Sequence, residues 1–111
     1  MNYVEDKSVT SLTRLQAWYF NQCDGDWEHQ FGVKIDTLDN PGWSLHIDLS
    51  HTSLNGREFQ PIKIERSEND WVFASRTATK FELACGPVNL EEGVALFCDW
   101  ADDADLPERS S

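Results

Sequence analysis

The stretch between Phe31 and Leu49 commits the chain to a β-hairpin, and no other stretch limits the fold so strongly. Phe31, Val33, Ile35 and Thr37 alternate with Gly32, Lys34 and Asp36; Trp43, Leu45, Ile47 and Leu49 then alternate with Ser44, His46, Asp48 and Ser50. A two-residue period places each set on one face of a strand. Leu38-Asp39-Asn40-Pro41-Gly42, between the runs, is a turn cluster. If Thr37 faces Trp43, then Ile35 faces Leu45 and Val33 faces Ile47, so both apolar faces coincide; a slip of one residue would turn one of them to water. The same register sets Lys34 opposite His46, with Asp36 and Asp48 on the diagonals.

The flanks fit around this hairpin. Residues 8–22 offer the capping hydroxyls Ser8, Thr10 and Ser11, then Leu12, Leu15, Trp18 and Tyr19 at helical steps, which predicts an amphipathic helix. Asp24-Gly25-Asp26 ends it. Residues 59–65 and 71–77 alternate around Ser67-Glu68-Asn69-Asp70 as a second hairpin, with Ile62, Ile64, Trp71 and Phe73 expected inward. Phe81, Leu83 and Cys85 supply a fifth strand, stopped by Gly86-Pro87. Asn89 and Glu92 read as the cap of a last helix with Val94, Phe97, Cys98 and Ala101 as its stripe. The expected class is α+β: an N-terminal helix, a meander sheet of about five antiparallel strands, and a C-terminal helix packed on one sheet face. Residues 1–111 form one domain, and residues 102–111 read as a frayed acidic tail.

With 20 Asp+Glu against 9 Lys+Arg, the net charge is -11 over 111 residues. A field of that sign disfavours a direct grip on nucleic acid or an anionic membrane and points to a basic partner. The acidity is uneven. Residues 24–48 hold six acids and one Lys, net -5; residues 91–108 hold seven acids and no Lys or Arg, net -7; the remainder is net +1. No run approaches the ~20 apolar residues that span a bilayer, and the start Met1-Asn2-Tyr3-Val4-Glu5-Asp6 is unlike a signal peptide. Three cysteines without a Cys-x-x-Cys spacing suit a reducing compartment. A cytoplasmic protein without a cofactor is expected.

Chemistry-bearing clusters are few. Asp24-Gly25-Asp26-Trp27-Glu28-His29 gathers carboxylates, yet it is no EF-hand: His29 stands where the loop needs glycine and Ile35 where it needs glutamate. His46-x-Asp48-x-x-His51 could bind zinc or support a small metal-dependent hydrolase if the fold gathered its side chains. A cross-strand role for His46 is the plainer reading. No nucleophile elbow or phosphate loop occurs. Cys85 and Cys98 fall on apolar stripes, and Cys23 sits among acids, an unsuitable setting for an activated thiolate. Trp27 and Trp43 flank the acidic turn and the hairpin loop, where aromatic rings beside carboxylates can anchor a partner or pin the two loops to the core.

Three runs carry a resemblance: Leu15-Gln16-x-Trp18-Tyr19, then Gln22-Cys23-Asp24-Gly25-Asp26-Trp27-Glu28-His29, then Gly32-Val33-x-Ile35-x-Thr37-Leu38-Asp39-Asn40-Pro41-Gly42-Trp43. Together they resemble the signature of immunity protein family 53 of bacterial polymorphic toxin systems. Looser likenesses continue through Glu65-Arg66-Ser67-Glu68-Asn69-Asp70-Trp71 and Phe97-x-x-Trp100-Ala101. The resemblance implies an antitoxin, not an enzyme, that blocks a cognate toxin domain by binding it. A basic toxin such as a nuclease suits the charge. On chemistry and signature position the candidate partner-binding residues are Asp24, Asp26, Trp27, Glu28, Asp36, Asp39, Trp43 and Asp48.

Overall fold

Thr10 opens the first helix: its hydroxyl accepts the Thr13 N–H at 3.2 Å, and α1 runs Ser11–Gln22. The computed structural model describes residues 10–105. A four-residue helix follows, α2 (Trp27–Gln30), in place of the simple turn expected there. The strands are β1 (Val33–Leu38), β2 (Gly42–Asp48), β3 (Ile62–Ser67), β4 (Asp70–Arg76) and β5 (Lys80–Cys85); α3 (Leu90–Asp105) closes the chain. The architecture is α+β, with a five-stranded antiparallel sheet.

The first hairpin takes the predicted register, pairing Thr37 with Trp43, Ile35 with Leu45, Val33 with Ile47 and Lys34 with His46. Sheet order is β1-β2-β5-β4-β3, antiparallel as expected but not one continuous meander: the chain leaves β2, crosses to the far edge and returns strand by strand to lie beside β2. The crossing loop, residues 49–61, is held by Arg76. Its guanidinium donates to the carbonyls of Leu54, Asn55, Arg57, Thr77 and Ala78.

One sheet face meets the helices. Leu45, Ile47, Phe81, Leu83, Cys85, Val72 and Ala74 are buried there against Leu15, Trp18, Val94, Phe97, Cys98 and Ala101. Each large apolar side chain so buried contributes roughly 1.5–3 kcal/mol. Phe97 lies edge-on to Trp18 and Phe81 with ring centroids 5.1 Å away in both cases. Burial also pushes the Cys98 thiol up to about 11, as expected of a core cysteine.

Two further expectations are corrected. Val72 and Ala74 face the core, while Trp71 and Phe73 lie on the outer face, ring centroids 5.0 Å apart. Pairing decides this: Ile64 faces Val72 and Ile62 faces Ala74, so burying the isoleucines turns the aromatics out. Residues 102–105, expected to fray, extend α3; Asp102 and Asp103 are bound by Arg14 and Arg57. The rest of that expected tail, residues 106–111, lies outside the described residues.

Candidate partner-binding surface

The acidic turn after α1 is built by its own carboxylates. Asp24 Oδ1 accepts the N–H groups of Asp26 and Trp27, both at 2.9 Å. Glu28 reaches back to accept those of Asp24 at 3.0 Å and Gly25 at 2.9 Å. Gly25 sits at φ 95°, a conformation that costs glycine little. The Trp27 N–H, then that of Asp26, holds the Asp24 carboxyl below its usual range. Glu28 is lowered likewise, by its own backbone N–H and by those of Asp24 and Gly25. Both therefore stay charged while organising the loop.

Trp27 is not on the surface. It is 4% exposed, its Nε1 donates to Ser50 O at 2.9 Å, and its ring packs on Trp18, Tyr19 and Phe31. The expectation that Trp27 anchors a partner is corrected on this ground, since a ring so enclosed presents almost no area. Trp43 is half-buried and donates to Pro87 O at 3.2 Å. Asp48 binds Lys80 Nζ at 2.5 Å and the Gly32 N–H at 2.9 Å, tying β2 to β5 and to the entry of β1. Asp26, Asp36 and Asp39 are exposed, and among the described residues no ion pair engages them. Asp36 stands on the outer sheet face opposite Ser44, and Asp39 at the hairpin tip.

His46, Asp48 and His51 do not assemble. His46 lies between Lys34 and Glu82 in the register, the Asp48 carboxylate is held as above, and His51, at φ 64°, packs against Phe31 with the rings tilted. Among the described residues no group of three His, Cys, Asp or Glu side chains could hold a metal ion, and no helix is long and apolar enough to cross a membrane.

The two acidic regions differ. On α3, Asp99 and Asp102 bind Arg14 at 2.9 and 2.6 Å, Asp103 binds Arg57 at 2.9 Å, and Glu92 binds Arg66 at 2.6 Å. Three arginines, from α1, the crossing loop and β3, thus offset part of the C-terminal acidity from within. That partnership joins residues up to 88 positions apart, beyond the reach of any local pattern. The acids of residues 24–39 have little such compensation, with Lys34 the single Lys or Arg among them.

The sheet leaves two further features that pattern reading missed. Its outer face is an open concavity of about 540 Å³ lined in part by Leu38, Ser44, His46, Phe73 and Ala84. Between α1 and β1 runs a groove of about 310 Å³ lined by Leu15, Gln16, Tyr19, Gly32 and Val33. The alternating signal of the hairpin marked its residues as strand but carried nothing about which strand would stand at the edge.

Compared with known families, residues 12–102 match the model of a family described as immunity protein 53. No curated protein and no solved structure matches the chain.

Proposed function

The chain belongs to the immunity protein 53 family, and from that premise we propose that it is the cytoplasmic antitoxin of a bacterial polymorphic toxin system, neutralising a basic toxin domain by binding it. The match across residues 12–102 carries the reading. The acids of the first hairpin and its preceding turn that no ion pair engages among the described residues, Asp26, Asp36 and Asp39 among them, support the choice of a basic target. A nuclease-like cleft holds Lys and Arg for phosphate, and carboxylates fixed at the surface can occupy it in place of phosphate.

In this reading Asp26, Asp36 and Asp39 meet the toxin directly. Asp24 and Glu28 add charge while holding the loop that presents Asp26. Asp48 fixes the start of β1 against β2, Trp43 supports the hairpin from beneath, and Trp27 seats the turn on the core. Inhibition needs no chemistry by the antitoxin itself, because a bound protein excludes substrate.

The test is co-expression with the toxin domain encoded by the neighbouring gene. Cells carrying the toxin alone should stop growing, cells carrying both should grow, and the two chains should copurify. Continued killing in the presence of folded, soluble antitoxin sinks the proposal.

A further inference from the structure

The free edge of β1 differs from the other edge of the sheet. The Asp48 N–H donates to Gly32 O at 3.0 Å, and the register next pairs Val33 with Ile47. Main-chain bonds of an antiparallel pair alternate, so Lys34 and Asp36 bond to β2. Val33, Ile35 and Thr37 therefore point their N–H and C=O groups away from the sheet, where no other strand lies among the described residues. All three are β-branched, and Ile35 is 36% exposed.

Soluble proteins blunt such edges with charge, proline or bulges. β3, at the opposite edge, does so: it follows Pro61, its register shifts between Glu65 and Ser67, and it carries Lys63, Glu65 and Arg66. β1 has neither proline nor bulge; its charges, Lys34 and Asp36, sit at the positions bonded to β2, and its three outward-bonding positions are uncharged. Beside it lies the groove between Leu15, Tyr19 and Val33, suited to apolar side chains from a chain running along β1. Carboxylates bracket the strand, with Asp24, Asp26 and Glu28 before it and Asp36 and Asp39 along it. Two copies paired edge to edge would bring like charges together.

We propose that β1 is a docking edge for an extended segment of the toxin domain, which adds to the sheet as a further strand. Its apolar side chains enter the groove beside α1, and its Lys or Arg side chains meet Asp36 and the flanking carboxylates. Main-chain bonds supply affinity, and the alternate side chains select the segment. The inference rests on the antitoxin reading and names how that partner is held.

The experiment is residue-resolved amide exchange on the full chain, free and bound to the toxin domain of the neighbouring gene, alongside Ile35→Pro. Proline at an outward-facing edge position removes one N–H without breaking the ladder to β2. Lys63→Pro is the control on the other edge, since alternation from the Gly86 N–H to Trp71 O bond turns Lys63 outward too. In the complex the amides of Val33, Ile35 and Thr37 should exchange more slowly by about tenfold or more, and Ile35→Pro should weaken binding by about tenfold, roughly 1.4 kcal/mol. Lys63→Pro should bind as wild type.

If the toxin binds and cells survive while those amides exchange at the free rate, strand addition is wrong and the antitoxin reading stands. If wild type does not bind the toxin at all, both fall. Protection already present in the free protein also overturns the proposal: concentration dependence would assign the edge to a second copy, and its absence would assign it to the chain itself. The exchange measurement uses wild-type protein, so a misfolded Ile35→Pro leaves the decision intact.

Discussion

Asp24 and Glu28 show how one carboxylate can serve structure and charge together, and why sequence reading saw only the second role. Grouped acids after a helix read as a solvated docking patch, whereas each of these accepts two main-chain N–H groups of a turn that lifts Trp27 into the core. Nothing in residue type separates an acid that folds back from one that points out, so Asp26, which stays outside, looked no different. The sign of their pH dependence follows from the direction of the shift. Folding lowers both pKa values, so the stabilisation is fully present above the unfolded values of about 4 and is lost as pH falls through the lowered folded ones. Asp24→Asn with Glu28→Gln should therefore lower Tm at neutral pH, and the gap to wild type should shrink steadily in melts taken below about pH 4. A gap that is constant down to pH 2 would show that the charge of these groups does not stabilise the turn.

At the scale of elements, legibility tracked contrast. The β1–β2 register could be read because each run is apolar on one parity and polar on the other, and the turn between them allowed one alignment. Trp71-Val72-Phe73-Ala74 is apolar on both parities, so size favoured the aromatics as the buried pair and strand pairing reversed it. The joint between α3 and the sheet was half legible. Asn89 does precede the helix, and its carbonyl accepts the Gly93 N–H at 2.9 Å. Its side chain reaches across instead: Oδ1 accepts the Trp71 N–H at 3.1 Å, and Nδ2 donates to Asp70 at 2.9 Å and Glu92 at 3.0 Å. Arg66 clasps the same two carboxylates. Because Asn89 is 4% exposed, truncating it strands a strand N–H in a place water reaches poorly. Asn89→Ala should cost about 2 kcal/mol in urea unfolding. Asn89→Asp should not restore it, since a third carboxylate cannot donate to Asp70 and Glu92. Wild-type stability in either variant would show that α3 docks without this joint.

For the molecule as a whole, the net charge of -11 matters less than where arginine has been placed against it. Arg14, Arg57 and Arg66 bind carboxylates of α3 and offset part of its acidity, whereas no arginine binds the acids of the β1–β2 hairpin and the turn before it among the described residues. Exposed pairs of this kind add only about 0–1 kcal/mol of stability each, so their larger consequence is to the shape of the potential. Two triple variants separate local from global charge. Asp26→Lys, Asp36→Lys and Asp39→Lys change the total by the same amount as Glu58→Lys, Glu65→Lys and Glu68→Lys, and all six positions are exposed. If the hairpin is the docking surface, the first set should slow association with the toxin domain by about tenfold or more at low salt, and the second set distinctly less. Near 1 M salt, where the screening length falls to about 3 Å, the long-range contribution should vanish, leaving only losses from direct contacts. Equal slowing by the two sets, measured by stopped flow, would mean that total charge alone draws the toxin in and that the hairpin acids have no privileged place in its capture.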